Sequence, residues 1–147
     1  MKKTLNIIHY LFIILWVYAA IIKLVDYRAF LDQLRMQPLP DWSISFLSIA
    51  LPVGELILAV ALLFKKTFYL GLIVSFALML SFSIYVLLAL GGTFGEIPCA
   101  CAGIIGRLPW KAHLIFNTFF TVLALIGLLI IKKLKGEYLI KHKPLTA

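Results

Sequence analysis

Cys99 and Cys101, the two cysteines of the chain, are separated by one residue and lie in the glycine-rich segment 91–103. Neighbouring thiols can form a disulfide and exchange it with another protein, because a thiolate attacks a disulfide sulfur through a mixed disulfide. A one-residue spacer strains the ring, which favours a labile, oxidising bond. Two thiolates also suit soft metals such as Cu(I) or Zn(II), and a disulfide can be purely structural. The pair therefore allows redox, metal-binding or structural chemistry.

His113 and Asn117 are four residues apart and follow the cysteines closely in the sequence. On a helix they share one face, and His113 comes twelve residues after Cys101. A histidine beside a thiol can favour the thiolate and accept or return its proton. The same histidine is a candidate third ligand in the metal hypothesis, or a structural hydrogen-bond donor at the start of a helix.

The elements that position these residues are apolar runs of membrane length. The chain has 147 residues, of which 63% are hydrophobic, and a soluble domain of this size cannot bury so much apolar surface. Runs of about 20 apolar residues match the hydrocarbon core of a bilayer. We predict an all-α integral membrane four-helix bundle, a single domain over residues 1–147, with a basic tail at 132–147 and spans at about 5–25, 44–64, 68–90 and 110–131.

The basic residues predict the orientation of the bundle. The formal net charge is +8, but the basic residues lie at the ends of the apolar runs, which indicates topology determinants and not a nucleic-acid surface. Four spans place nine of them on the side of the termini: Lys2, Lys3, Lys65, Lys66, Lys132, Lys133, Lys135, Lys141 and Lys143. The other side has five: Lys23, Arg28, Arg35, Arg107 and Lys111. We therefore expect a multi-pass protein of the bacterial inner membrane, with cytoplasmic termini and cysteines facing the oxidising periplasm.

Charged residues within the first two spans are the other chemically informative feature. Lys23 and Asp26 are three residues apart and share a helix face near the end of the first span. The interpretation that we favour for Lys23 is a snorkelling lysine with an interfacial partner. Glu55 lies about 16 Å into the second span, where a carboxylate is costly and is by default functional or paired. We expect Glu55 to be protonated or paired with a cation such as Lys23. Its role would be either that of a proton relay or that of a structural ion pair that joins the first two helices.

The segment 27–43 between these spans is polar and mixed in charge, with apolar residues at near-helical spacing. This pattern predicts a short amphipathic helix in the membrane interface. Pro38 and Pro40 should end that helix, and Asp41 or Ser43 should cap the next one.

These features together resemble the MauE/DoxX-like group of small four-helix redox-associated membrane proteins. The resemblance covers roughly residues 5–131, and its most specific part is the stretch from the cysteines to Asn117. The matching motifs are Tyr18-Ala19-x-x-x-Lys23-Leu24-x-Asp26, Pro52-Val53-x-Glu55, Pro98-Cys99-x-Cys101-x-Gly103 and Trp110-x-x-His113-x-x-x-Asn117.

The resemblance implies a role in methylamine utilisation, where MauE-type proteins are linked to maturation of a disulfide-rich dehydrogenase subunit. It also implies a role similar to that of the quinone-linked disulfide generators of the DsbB and vitamin K epoxide reductase type. Those enzymes use a Cys-x-x-Cys pair and usually a second pair, whereas this chain has one Cys-x-Cys. A quinone is accordingly a candidate cofactor, and the run Phe116, Phe119 and Phe120 is packing or lipid-facing surface unless a quinone ring docks there.

Three functional hypotheses follow. The first, which we favour, is a thiol–disulfide oxidoreductase that exchanges electrons with a periplasmic thiol or disulfide protein. Its catalytic residues would be Cys99, Cys101 and His113, supported by Lys23, Asp26, Glu55, Trp110 and Asn117. The second is a non-catalytic membrane subunit or assembly factor with a structural bridge. The third is soft-metal handling, which the sequence favours least because the outward loops have no further cluster of sulfur or imidazole ligands.

Overall fold

The structure, a computed structural model, describes residues 1–93 and 110–141. Five helices form this part of the chain: α1 Lys2–Val25, α2 Tyr27–Arg35, α3 Asp41–Leu63, α4 Phe68–Leu90 and α5 Trp110–Lys141. Four of them are long and apolar enough to cross a membrane, over Lys3–Val25, Asp41–Leu63, Phe68–Leu90 and Lys111–Leu134. The all-α fold with four membrane-length helices and a short helix after the first span is therefore confirmed.

The helix ends differ from the prediction in two places. Pro40, not Asp41 or Ser43, occupies the N-cap position of α3 without a side-chain cap, so the predicted cap is wrong. The Ser43 hydroxyl instead donates to the Pro40 carbonyl at 2.7 Å. The last helix continues ten residues past the predicted end at Ile131, to Lys141, because lysine is a good helix former and leaving the hydrocarbon core does not require the helix to end.

The bundle is built from two closely packed helix pairs, α1 with α3 and α4 with α5. Its core includes Phe12, Trp16, Leu62 and Leu72, all almost fully buried. Phe12 meets Phe120 edge to face, with ring centroids 5.4 Å apart. In a bilayer such contacts stabilise by van der Waals packing, since lipid tails are as apolar as the side chains they replace.

Two glycines allow the close approach of the helices. A Cβ atom added at Gly71 would lie 2.9 Å from Leu62 Cδ2, and one added at Gly127 would lie 2.8 Å from Leu72 Cδ2. Gly71 therefore allows α4 to pack closely on α3, and Gly127 allows α5 to pack closely on α4. Both positions fit the general enrichment of small residues where membrane helices touch.

Helix α2 packs against α1 and α3 through its apolar face. Phe30 and Leu34 are buried and form a small cluster with Ile44 of α3. The Tyr27 hydroxyl donates to Ser48 Oγ at 2.9 Å. The predicted amphipathic helix is therefore present, and it lies against the end of the bundle at which α1 ends and α3 begins.

Candidate functional site

A buried ion pair joins α1 to α3. Lys23 Nζ lies 2.7 Å from Glu55 Oε1, and both side chains are about 95% buried, with 5% and 6% exposure. Lys23 also donates to the Ala19 carbonyl at 3.2 Å, and its ammonium lies 5.9 Å from the centre of the Phe30 ring. The lysine is therefore held on several sides within the protein, and the pairing that the sequence offered as one alternative for Glu55 is present.

This geometry corrects the interpretation of Lys23 as a snorkelling residue with an interfacial partner. Its partner is a carboxylate inside the bundle, because a buried ammonium is stabilised far more by a close opposite charge than by distant solvent. Asp26, the neighbour on the same predicted face, is exposed and caps α2 instead. Its Oδ1 accepts from the backbone N–H of Ala29 at 3.3 Å.

The second carboxylate oxygen of Glu55 is chemically unusual. Oε2 is buried and has no hydrogen-bond partner among the residues that the structure describes. A buried polar atom of this kind costs free energy unless water or a ligand supplies a hydrogen bond. Glu55 therefore has one oxygen that is held by Lys23 and one that can still accept a hydrogen bond.

His113 and Asn117 face the interior from the start of α5. His113 is the fourth residue of the helix and only 1% exposed, and Asn117, one turn later, is 5% exposed. Both ring nitrogens of His113 are buried and without a hydrogen-bond partner in the described ranges 1–93 and 110–141. The described residues thus give His113 no structural hydrogen bond, although such a bond was one of the alternatives for it.

The predicted site residues fall into two places, not one. Helices α3 and α5 begin at the same face of the bundle, with Glu55 fourteen residues into α3 and His113 three residues into α5. At 1.5 Å per residue, the ion pair lies about 16 Å deeper than His113. The structure therefore brings Lys23 to Glu55, and His113 to Asn117, but keeps the two pairs apart.

Cys99 and Cys101 lie outside the described residues, as does the side chain of Trp110. No group of three potential metal-binding side chains occurs in the part of the chain that the structure describes. The soft-metal hypothesis depends on the two cysteines and is not tested by that observation.

Several buried polar contacts were not foreseen in the sequence. The Trp16 indole N–H donates to Ser75 Oγ at 2.9 Å, and the Tyr85 hydroxyl donates to Oε1 of the buried Gln37. One feature of the sequence could have indicated both hydrogen bonds. Each involves a polar or amphipathic side chain in or beside an apolar run, and such a side chain needs a hydrogen-bond partner when it is buried. These bonds tie α1 to α4, and the segment after α2 to α4.

Comparison with known proteins places these features in one family. The family model described as "Methylamine utilisation protein MauE" matches residues 1–130. No curated protein and no solved structure matches the chain. The matched range contains the first three membrane-length helices, the cysteine pair, and the start of α5 with His113 and Asn117. The chain is a multi-pass membrane protein that belongs to the MauE family.

Proposed function

We propose that this MauE-family protein is a thiol–disulfide oxidoreductase that exchanges electrons with an exported partner through Cys99 and Cys101. The description of the family names methylamine utilisation, and the partner that we propose is a disulfide-containing protein of that process. The cysteines would face the periplasm, as the distribution of basic residues predicts. The proposal places the chemistry at the end of the bundle where α5 begins.

The proposed reaction is a two-step disulfide exchange. The Cys99 thiolate attacks a disulfide of the partner, forming a mixed disulfide and releasing one partner thiolate. The Cys101 thiolate then attacks Cys99 Sγ, which closes the Cys99–Cys101 disulfide and releases the second partner thiolate. Two electrons pass to the partner, and the two thiol protons end on its sulfurs. The same steps in reverse oxidise the partner and reduce Cys99 and Cys101.

The observation that carries the proposal is the buried imidazole of His113, whose nitrogens have no hydrogen-bond partner among the residues that the structure describes. Exchange needs a group that takes a proton from a thiol and later returns it, and a neutral imidazole does both near physiological pH. His113 is in the first turn of the helix that follows the cysteine segment, and its nitrogens are not used by other described residues. Asn117 extends the same buried face by one turn.

Single cysteine variants test the exchange directly. Replacing the resolving cysteine, in Cys101→Ala, should trap the mixed disulfide as a higher-mass adduct that dithiothreitol removes, whereas Cys99→Ala should form none. Non-reducing electrophoresis of cells quenched with an alkylating agent measures both. If neither variant forms an adduct and the double variant still supports growth on methylamine, the protein is a non-catalytic subunit or assembly factor.

A histidine variant tests the role of His113. His113→Ala should slow adduct formation at least about 100-fold, the lower range for loss of a general acid–base group. His9→Ala is the matched control, because His9 hydrogen-bonds the Leu62 carbonyl at the opposite end of the bundle. Equal rates for the two variants would remove His113 from the reaction.

A further inference from the structure

A groove separates the short helix α2 from the first part of α3. Tyr27, Leu31 and Arg35 line it on the side of α2, and their spacing of four residues places them on one helix face. The other wall is the face of α3 that runs from Asp41 to Ile49. The volume of the groove is about 530 Å³, which is within the range of small-molecule sites.

The polarity of the groove changes along α3, a helix of membrane length that begins at Asp41. The charged side chain of Asp41 lies at the mouth of the groove, and Ser45 follows about 6 Å further along the helix axis. Ile49, which is largely exposed, lies about 12 Å from Asp41 along the same axis. A phospholipid has the same order of groups, because its charged headgroup is followed by polar ester groups and then by acyl chains.

Hydrogen bonds hold the two walls of the groove together. The Tyr27 hydroxyl donates to Ser48 Oγ at 2.9 Å, and the Ser48 hydroxyl donates to the Ser45 carbonyl at 2.9 Å. Behind these bonds, Phe30 and Leu34 of α2 are buried against α3. The groove is therefore a feature of two helices that are fixed against each other.

The two charged side chains that line the groove have opposite signs. Arg35 lies 3.5 Å from Asp32, but both side chains are more than 60% exposed. An exposed pair of this kind is weak, so the guanidinium can bind a phosphate group, which matches its planar fork of donors. Asp41 is exposed and has no ion pair among the described residues, so its carboxylate can accept hydrogen bonds from a cation.

This pair of charges selects the headgroup of the lipid. A headgroup whose only charge is a phosphate would satisfy Arg35 but would be repelled by Asp41. A choline headgroup carries a positive charge, but it has no N–H to donate to a carboxylate. A headgroup with a phosphate and a primary ammonium satisfies both side chains, and its ammonium can form charge-assisted hydrogen bonds with Asp41.

We propose that the groove between α2 and α3 binds one molecule of phosphatidylethanolamine from the adjacent leaflet. The phosphate lies on Arg35, the ammonium on Asp41, and an acyl chain along Leu31 and Ile49. This lipid site is independent of the proposed disulfide exchange, because it uses neither the cysteines nor His113. It also does not depend on which side of the membrane this end of the bundle faces.

The test is native mass spectrometry of the full chain in detergent, titrated with phosphatidylethanolamine, phosphatidylcholine or phosphatidylglycerol that carry the same acyl chains. One molecule of phosphatidylethanolamine should bind at least about tenfold more tightly than either of the other lipids, which is the usual size of one hydrogen bond to a charged group. Equal binding of the ethanolamine and choline lipids would overturn the proposal. A preference for phosphatidylglycerol would also overturn it, because it would show only a general attraction of anionic lipid to a basic protein.

Variants of the two charged residues locate the site. Asp41→Asn should abolish the preference for phosphatidylethanolamine over phosphatidylcholine. Asp32→Asn, the matched control, removes the same charge from a residue that is not among those lining the groove, and it should keep the preference. Arg35→Gln should weaken the binding of all three lipids, whereas Arg28→Gln, which changes another exposed arginine of α2, should not.

The unfolding temperature without added lipid separates lost binding from misfolding. All four residues are exposed, so the variants should unfold close to the temperature of the parent protein. An unchanged preference for phosphatidylethanolamine in Asp41→Asn would refute the site. Because the readout does not involve Cys99 or Cys101, its failure leaves the disulfide proposal intact, and the reverse holds as well.

Discussion

Lys23 and Glu55 stabilise the bundle only as a pair, because each charge alone is costly at this depth. Replacing one of them, in Lys23→Met or Glu55→Met, should lower the free energy of unfolding by about 3–5 kcal/mol. The double variant should lose much less, since two apolar side chains of similar size replace the pair. Reversible unfolding in detergent measures the three losses.

Asp32 and Arg35 of α2 provide the control for this cycle. Their charged atoms are 3.5 Å apart, but both side chains are more than 60% exposed. An exposed pair contributes at most about 1 kcal/mol, so either single replacement should change the free energy of unfolding only slightly. Additive losses at Lys23 and Glu55 would show that the two residues act separately. A stable Glu55→Gln variant that has lost cellular activity would favour a proton-relay role.

Single residues were predictable where the bilayer leaves few alternatives. A carboxylate deep in a span must be neutralised or paired, and Lys23 was the candidate cation. The pairing of Lys23 with Glu55 was therefore among the predictions, and it is present. The choice between pairing and snorkelling depends on how α1 and α3 are rotated against each other, which no local pattern contains. The contact between Gln37 and Tyr85 was missed for the same reason, since its two residues are 48 positions apart.

At the scale of the helices, Gly71 and Gly127 set how closely neighbouring elements pack. Gly71→Leu and Gly127→Leu should each lower the free energy of unfolding by about 1–3 kcal/mol, because the new side chain overlaps Leu62 or Leu72. Gly54→Leu is the matched control, since nothing lies within 4 Å of its added Cβ. It should leave stability unchanged or raise it by up to about 1 kcal/mol through helix propensity. Equal losses at all three glycines would contradict the close-packing role.

The helices themselves were more predictable than their ends. Apolar runs of membrane length identify α1, α3 and α4 and the membrane-spanning part of α5, because only helices and closed barrels satisfy the backbone in lipid. The end of α5 was placed at Ile131, where the apolar run stops, but backbone hydrogen bonds continue into a lysine-rich segment that also favours helix. The start of α3 was misassigned because Asp41 and Ser43 are both common caps, and the preceding Pro40 already supplied the extended backbone.

For the whole molecule, the orientation of the bundle decides which of its ends meets the oxidising compartment. Four spanning helices place Met1 and the end of α5 on one side, and the end of α1, helix α2 and the start of α5 on the other. The lysines near the termini and between α3 and α4 favour a cytoplasmic location for the first side. Disulfide exchange through Cys99 and Cys101 requires this orientation, since cytosolic thiols are kept reduced.

Reporter fusions to the full chain test this orientation. A reporter that is active only in the cytoplasm should work when it is fused after Ala147 and be silent when it is inserted beside Gly103. A periplasmic reporter at the same two positions should give the opposite pattern, which controls for expression and folding of each fusion. Reversal of both patterns would invert the bundle, place the cysteines in a reducing compartment and remove the physical basis of the redox proposal.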